Sequence, residues 1–170
     1  MISFARPPVL VLMGVSGCGK STVGAELASR LGWDLGEADD LHPAENIAKM
    51  ASGHPLTDAD RAPWLVRVRA WIDERVQARR PGIITCSALK RAYRDVLRDE
   101  HVVFVHLTGT RNQLLARLSA RHGHFMPATL LDSQLAMLDP PGPAERALTI
   151  DIGPPPSELA TRIEAALALP

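Results

Sequence analysis

Short apolar runs alternate along this chain with longer stretches in which apolar residues recur at helical spacing. The runs cover residues 9–13, 33–38, 83–86, 102–107 and 148–151. Runs of this length are typical of strands buried in a parallel sheet, and the stretches between them have the period of amphipathic helices. The alternation therefore predicts an α/β protein in which a five-stranded parallel sheet is flanked by helices.

The helices are predicted from the same spacing and from a capping sequence. Thr57-Asp58-Ala59-Asp60 has the composition of a helix start, with a threonine cap and acidic residues in the first turn. The stretches with helical character are 21–31, 44–51, the segment after 57–60, 87–97, 113–121, 129–138 and 159–167. No internal repeat or linker interrupts the pattern, so we predict one domain over residues 1–170.

Composition narrows the possible partners. Of the 170 residues, 46% are hydrophobic and 22% charged, and the formal net charge is zero. A neutral protein lacks the bulk charge that attracts nucleic acid or anionic membranes, so we expect neither as a partner. No apolar stretch reaches membrane-spanning length, and no secretory signal is apparent. Two cysteines, Cys18 and Cys86, fit free thiols in a reducing cytoplasm, where we expect the protein to act.

The turn after the first predicted strand carries the most informative motif. Residues Gly14-Val15-Ser16-Gly17-Cys18-Gly19-Lys20-Ser21 fit the pattern G-x-x-x-x-G-K-[ST] of a phosphate-binding loop, and Thr22 follows in the predicted helix. Glycines allow the tight curl that turns backbone N–H groups toward phosphate oxygens. The Lys20 ammonium can contact the β- and γ-phosphates, and the Ser21 hydroxyl can bind Mg²⁺. The motif predicts a nucleotide site, with ATP and Mg²⁺ as the expected cofactors.

An acidic pair, Asp39 and Asp40, follows the second predicted strand. Ligands of open α/β sheets bind outside the carboxyl ends of the strands, so a carboxylate there can face the phosphate loop and accept a proton from an attacking hydroxyl. The third predicted strand ends without an acidic residue, which makes Asp39 the best carboxylate for the Mg²⁺ shell. His42 is close by, but it can equally well hydrogen-bond the turn before Pro43.

Lysine is rare in this chain. Of the 19 basic residues only three are lysines, Lys20, Lys49 and Lys90, which marks them as candidates for sites that need a compact charge. Lys90 and Arg94 are four residues apart after the third predicted strand. Two cations there suit an anionic substrate, although the spacing alone favours a solvated basic stripe.

A pair of arginines precedes an interruption in the helical pattern. Arg117 and Arg121 are four residues apart, and residues 122–127 contain Gly123 and Pro127. Arginines in this place can reach over bound phosphates or stack on a base, and the alternative is an ordinary solvated helix face. The pattern predicts a small lid at about residues 121–130.

These segments together are similar to the gluconokinase family of small-molecule P-loop kinases. The likeness covers nearly the whole chain and rests on the phosphate loop, on residues 39–50, 53–65, 86–95 and 121–126, and on Asp151-Ile152. Many families share the loop, whereas the D-D-L-H-P, C-S-A-L-K and G-H-F segments are specific. The resemblance implies transfer of the ATP γ-phosphoryl group to the 6-hydroxyl of D-gluconate, with Mg²⁺, by a protein with a mobile lid that is often a homodimer.

The resemblance also implies roles for individual residues. Lys20 and Ser21 look like the phosphate and Mg²⁺ residues, and Asp39 looks like the carboxylate that faces the substrate hydroxyl. The segments that line the substrate groove in this family contain His42, Lys49, Arg61, Lys90, Arg94 and His124, and the lid and nucleotide residues correspond to Arg117 and Arg121. The departures are Ala38, where a glycine is common, and Pro127, which stiffens the entry to the next helix.

Two other functional classes fit parts of the pattern. A shikimate kinase-like enzyme would share the phosphate loop, the aspartate after the second strand and the arginine lid. A nucleotide-dependent switch would share the loop, but the chain has no N-K-x-D-like segment for reading guanine. A purely structural domain is the least favoured, because the Gly-Lys-Ser of the loop is intact.

Overall fold

All five strands of the sheet run parallel, which confirms the prediction. The structure is a computed structural model that describes residues 2, 4–120 and 128–170. The strands are β1 (Val9–Met13), β2 (Asp34–Glu37), β3 (Gly82–Thr85), β4 (Val102–Thr108) and β5 (Ala147–Asp151). Their order in the sheet is β2-β3-β1-β4-β5, so that β1 lies in the middle and the loop after it opens at the centre of one edge.

Helices connect the strands and cover both faces of the sheet. They are α1 (Lys20–Leu31), α2 (Ala44–Ala51), α3 (Asp58–Gln77), α4 (Arg91–Leu97), α5 (Arg111–Ser119), α6 (Ala128–Met137) and α7 (Pro156–Ala166), with a short 3-10 helix, Ala38–Leu41, after β2. Within the described ranges, no helix combines the length and the apolar character needed to cross a membrane.

The sequence of the central strand, β1, shows no alternation of apolar and polar residues, and its burial explains why. Every side chain of β1 is fully buried, because each face of the sheet is covered. Leu10 and Leu12 belong to the core that contains residues of α1, α5 and α7. Val11 and Met13 belong to the core on the other face, under α3 and α4. Both cores therefore meet at the strand that leads into the phosphate loop.

Several element boundaries differ from the prediction by a few residues, and two of these differences affect the candidate site. Strand β2 ends at Glu37, and residue 38 begins the 3-10 helix that carries the acidic pair. Helix α4 begins at Arg91 and not at Ser87. The cause is local, since Ala88 has a left-handed φ of 44° and Lys90 is extended at φ −92° and ψ 145°, conformations that a helix cannot include.

A buried ion pair joins α4 to the segment before β5. The Arg94 Nε and Nη2 atoms donate to the two Glu145 carboxylate oxygens at 2.7 and 3.1 Å. Arg94 Nη1 donates to the carbonyl oxygens of Ala88 and Leu89 at 2.9 and 3.2 Å. The Arg94 side chain is 1% exposed. Its hydrogen bonds hold the pKa of Glu145 below its usual value. Because the guanidinium bonds both to Glu145 and to the backbone before α4, it holds these segments together.

We predict that Arg94→Met destabilises the fold strongly. The substitution leaves the Glu145 carboxylate buried without its partner, which costs about 3–5 kcal/mol in unfolding free energy. Urea denaturation followed by circular dichroism measures the change.

The matched control is Arg162→Met, which removes an exposed pair with Glu158 at 2.6 Å. An exposed pair of this kind contributes at most about 1 kcal/mol. Equal losses in the two variants would contradict the structural role of Arg94.

Candidate active site

The phosphate loop has a backbone that only glycine can follow at several positions. Gly14, Gly17 and Gly19 have φ values of 145°, 87° and 95°. A Cβ atom on Gly14 would lie 2.7 Å from the Leu107 carbonyl oxygen and 2.8 Å from the Cys18 sulfur. A side chain at Gly14 is therefore excluded by contact as well as by conformation.

The Lys20 side chain folds back over this loop. Its Nζ atom donates to the carbonyl oxygens of Gly14 and Val15 at 2.9 and 3.2 Å and lies 3.9 Å from the Cys18 sulfur. Lys20 and the exposed residues Ser21 and Thr22 form the first turn of α1. The ammonium and the amino end of the helix thus converge on one place, which is how an anion site for phosphate is built.

Arg117 lies beside the phosphate loop. Its Nη1 atom is 3.5 Å from the position that a Cβ atom on Gly19 would take, and its Nη2 atom donates to the Ile152 carbonyl oxygen. Arg117 therefore bridges the phosphate loop and the residue that follows β5. A guanidinium in this position can contact phosphate oxygens or a stacked base.

An oxygen-rich cluster lies beside Ser21, and it includes a carboxylate that the sequence analysis missed. The Ser21 hydroxyl donates to Glu37 Oε2 at 3.1 Å, and the Thr85 hydroxyl donates to the same oxygen. Glu37 and Thr85 are partners in the register of β2 and β3. Glu37 was placed inside the predicted strand 33–38, whereas it is the last residue of β2 in the structure. A carboxylate so near the carboxyl end of a predicted strand was the signal that could have revealed it.

The cluster has the donor chemistry that suits Mg²⁺. Hydroxyl and carboxylate oxygens are hard ligands, and Mg²⁺ commonly uses only one or two carboxylates together with water and substrate phosphates. In the described part of the chain no group of three or more His, Cys, Asp or Glu side chains could hold a metal. Ser21 and Glu37, which are 3.1 Å apart beside the phosphate loop, could supply two oxygens of this kind.

Asp39 lies on the same edge of the sheet as Lys20. Burial raises the pKa of the Cys86 thiol to about 12, and the charges of Asp39 and Lys20 also act on that thiol, in opposite directions. Asp39 and Asp40 are both exposed in the 3-10 helix. Successive residues of such a helix point about 120° apart, so the two carboxylates face different directions.

The His42 ring is held at the mouth of this edge. It stacks on Trp64 with ring centroids 4.5 Å apart and an angle of 12° between the planes. Trp64 is itself fixed, because its indole N–H donates to the Ala38 carbonyl oxygen at 2.7 Å. Burial lowers the pKa of His42, and the charge of Asp39 partly offsets that shift.

Three of the four expected groove cations meet at the amino end of α3. Lys49 Nζ donates to Asp60 Oδ2 at 2.6 Å, and Lys90 Nζ donates to the Asp58 carboxylate at 3.0 and 3.2 Å. Arg61 Nη1 donates to the Leu56 carbonyl oxygen at 2.9 Å and to the Tyr93 hydroxyl oxygen at 3.2 Å.

The two aspartates that hold these cations are built into the start of the helix. Asp60 accepts from the Thr57 amide and Thr57 Oγ1 accepts from the Asp60 amide, which together form a capping box. Asp58 accepts from the Tyr93 hydroxyl, and that bond and the one from Lys90 lower its pKa. The cations are therefore gathered and oriented by the cap of α3.

The fourth expected groove cation, Arg94, does not join this group. Lys90 lies just before α4 and faces Asp58, whereas the Arg94 guanidinium is buried against Glu145, so the spacing of four residues does not bring them to one helix face. A cavity of about 400 Å³ beside α4, lined by Arg94 and Glu145 among others, contains no other predicted site residue. Two further expected residues, Arg121 and His124, lie outside the described residues.

Gln134 is a second residue that the sequence analysis missed. Its Oε1 atom accepts from the Ser16 amide at 2.7 Å, and its Nε2 atom donates to the Ser16 hydroxyl at 3.1 Å. The contact joins α6 to the phosphate loop across 118 residues of sequence. No local pattern could have predicted it, because the two residues meet only through the packing of α6.

A parallel sheet with the order β2-β3-β1-β4-β5 and a glycine-lysine-serine loop after its central strand defines a P-loop kinase. Residues 16–135 match the family model for shikimate kinase. A gluconokinase of Gluconobacter oxydans is 52% identical over 147 residues, which cover 85% of this chain and 83% of the relative. The chain belongs to the gluconokinase family.

Solved structures agree with this assignment. A gluconokinase from Sinorhizobium meliloti is 43% identical with a TM-score of 0.87, and the alignment covers 96% of this chain and 93% of that one. A sugar kinase from a Janibacter species is 47% identical with a TM-score of 0.88, over 96% and 95% of the two chains. A shikimate kinase from Acinetobacter baumannii is 18% identical with a TM-score of 0.58, over 95% and 94%, and shares the fold alone.

We predict that Lys49→Met raises the pKa of Asp60. That pKa is lowered to about 2, mainly by the hydrogen bond from Lys49 and further by the Thr57 amide. Removal of the ammonium should move it toward the ordinary value for aspartate. A carboxyl-detected NMR titration from pH 1.5 to 6 measures the change.

The matched control is Lys90→Met, because Lys90 pairs with Asp58 and not with Asp60. The control should leave the pKa of Asp60 in place. A shift of the same size in both variants would contradict the separate pairing of the two lysines.

Proposed function

We propose that this protein phosphorylates D-gluconate at its 6-hydroxyl and releases 6-phosphogluconate and ADP. The observation that carries the proposal is membership of the gluconokinase family over most of the chain. The grouping of Lys49, Arg61 and Lys90 on the carboxyl side of the sheet supports it, because a linear polyhydroxy acid needs a cation at its carboxylate end. In the reaction the 6-oxygen forms a bond to the γ-phosphorus as the bond to the bridging β–γ oxygen breaks.

The phosphate loop and its neighbours would hold the nucleotide. The N–H groups of Gly17 and of residues 19–22 surround the phosphates, and the Lys20 ammonium and the Arg117 guanidinium supply charge where it develops during transfer. Mg²⁺, when bound, neutralises charge on the phosphates, and we assign it to Ser21 and Glu37, with Asp39 near the shell. Arg121 keeps its proposed role in a lid at about residues 121–130.

The opposite side of the site would hold the acceptor. Asp39 accepts the proton of the 6-hydroxyl as that oxygen attacks, which leaves a neutral carboxyl group and a phosphate ester. Lys49, Arg61 and Lys90 bind the carboxylate end of the substrate, with His42 and His124 as further substrate contacts. Because Arg94 is occupied by Glu145, we leave it out of the substrate site.

The alternatives are less well supported. Shikimate kinase structures share the fold at identities too low to indicate a substrate, whereas relatives at 52% and 46% identity are gluconokinases. A regulatory switch would leave the grouped cations beside the nucleotide site without a role.

We further propose a cytoplasmic homodimer. The two free, buried cysteines are compatible with a reducing compartment, and the dimer rests on the resemblance to the family.

Release of ADP with a panel of acceptors tests the proposed substrate. We expect activity with gluconate and at least about tenfold lower kcat/KM with glucose and sorbitol, since each lacks the carboxylate and loses a charge-assisted hydrogen bond. Shikimate and AMP should fail because their shape does not match the acceptor site. Lys20→Met is the control and should abolish transfer to every acceptor while the protein stays folded. A preference for shikimate or AMP over gluconate would contradict the assignment of gluconate as the substrate.

Three carboxylate variants separate the roles at the end of β2. Asp39→Asn should lower kcat by about 10²–10⁴-fold, because it removes the proton acceptor. Glu37→Gln should instead raise the Mg²⁺ concentration for half-maximal rate by about 10–100-fold, because it removes the charge of a carboxylate assigned to the ion. Asp40→Asn is the control and should change neither quantity much.

The measurements are initial rates over a range of Mg²⁺ concentrations at saturating ATP and gluconate. Equal effects of the Asp39 and Asp40 substitutions would show that the base is misassigned. A Glu37 variant with unchanged Mg²⁺ dependence would remove Glu37 from the metal site.

A further inference from the structure

The amide of Asn46 has one possible orientation. Asn46 lies on α2 and is 5% exposed. Its Nδ2 atom is 2.9 Å from the backbone carbonyl oxygen of Asp60 and 3.2 Å from His42 Nδ1. A carbonyl oxygen only accepts hydrogen bonds, so the nitrogen end of the amide must face it. The two hydrogens of that nitrogen then point to the two neighbours, one to the carbonyl oxygen and the other to the imidazole.

This orientation decides where the His42 ring carries its proton. Because Asn46 donates to Nδ1, that ring nitrogen must be an acceptor without a hydrogen. The proton of the neutral ring is then on Nε2. Among the described residues no hydrogen-bond partner faces Nε2, although the ring is fixed by Trp64 on one side and by Asn46 at its edge.

We propose that Asn46 is a positioning residue that holds His42 as the neutral Nε2–H tautomer, ready to donate a hydrogen bond to an oxygen of the polyhydroxy acid beside Asp39. The identity of the acceptor oxygen rests on the proposed function, whereas the tautomer does not. The charges of Asp39 and Arg61 both act on His42, so the ring lies near the proposed base and near one of the clustered cations.

A charged ring would not fit this arrangement. An imidazolium has hydrogens on both nitrogens, so Nδ1–H would point at the N–H of Asn46. Asn46 would then have to turn and leave the Asp60 carbonyl oxygen without its donor, which is unfavourable for a buried group. The lowered pKa of His42, caused mainly by burial, agrees with a neutral ring at pH 7.

The tautomer is measured directly by long-range ¹H–¹⁵N NMR of the imidazole rings in the free protein at pH 7.5. We expect His42 to show a protonated Nε2 and an unprotonated Nδ1, with the signal assigned by its loss in His42→Gln. In Asn46→Asp the carboxylate can only accept, so the His42 proton should move to Nδ1. A wild-type ring that carries its proton on Nδ1, or that exchanges between both nitrogens, overturns the proposal.

Kinetics with a matched pair of His42 variants tests the donor. His42→Gln keeps an amide N–H near the Nε2 position, whereas His42→Asn can place one only near Nδ1. We expect kcat/KM for gluconate to fall about tenfold more in His42→Asn than in His42→Gln, the usual effect of one neutral hydrogen bond. The KM for ATP should stay unchanged in both. Equal losses in the two variants overturn the donor role, even if Asn46→Asp fails to fold.

The same measurements separate this inference from the proposed function. Glu45→Gln, an exposed neighbour of Asn46 on α2, is the control and should retain both the wild-type tautomer and the wild-type rate. If the wild-type protein forms no ADP with gluconate, the proposed function fails, while the NMR spectrum still decides the tautomer. If gluconate is phosphorylated but His42 carries its proton on Nδ1, this inference alone fails.

Discussion

The structure depends most on how tightly the backbone closes around the phosphate loop. At Gly14 and Gly17 a single added carbon would lie within 2.8 Å of Leu107, Cys18 or Leu118. These neighbours come from the end of β4, from the loop itself and from α5, so the loop is packed from the sheet side and from the helix side at once. Because close-packed atoms leave little freedom, the loop has its curled shape before any phosphate arrives. Backbone N–H groups that are fixed in this way stabilise an anion more strongly, because they need not reorient when it binds.

Charge in the acceptor site is balanced internally. The chain has no net charge, and two of the three cations that would hold a substrate carboxylate, Lys49 and Lys90, already pair with Asp60 and Asp58. These aspartates are favoured where they stand, because the amino end of α3 carries a partial positive charge. An acidic substrate therefore exchanges partners with these two lysines and does not neutralise bare charge there. Exchange of this kind contributes less than the pairing of a bare charge would, so the placement of hydroxyl oxygens against fixed groups such as His42 must add to the selectivity that the substrate carboxylate provides.

Patterns in the sequence predicted the sheet because a strand that is buried on both faces needs a continuous apolar run, such as Val9–Met13. The phosphate loop could equally be predicted from the sequence, since its conformation requires glycine at fixed spacing. Two kinds of information were out of reach. Lys90 and Arg94 were paired by helical spacing, but the left-handed Ala88 and the extended Lys90 start the helix later and separate them. Gln134 and Ser16 meet only in three dimensions, and a contact across most of the chain leaves no trace in local periodicity.

The Gln134 contact also limits how the loop can bind phosphate. The Ser16 amide donates to Gln134, so it is satisfied by the protein and not held open for a ligand. The Cys18 amide likewise donates within the loop, to the Val15 carbonyl oxygen at 3.3 Å. The amides that remain to cradle phosphate are therefore that of Gly17 and those from Gly19 into the first turn of α1, the region that Lys20 and Arg117 also approach. Helix α6 is in turn anchored by a bidentate Arg111–Asp132 pair and by the buried Leu131. Any displacement of α6 would release the Ser16 amide, so the packing of this helix determines how many donors the loop presents.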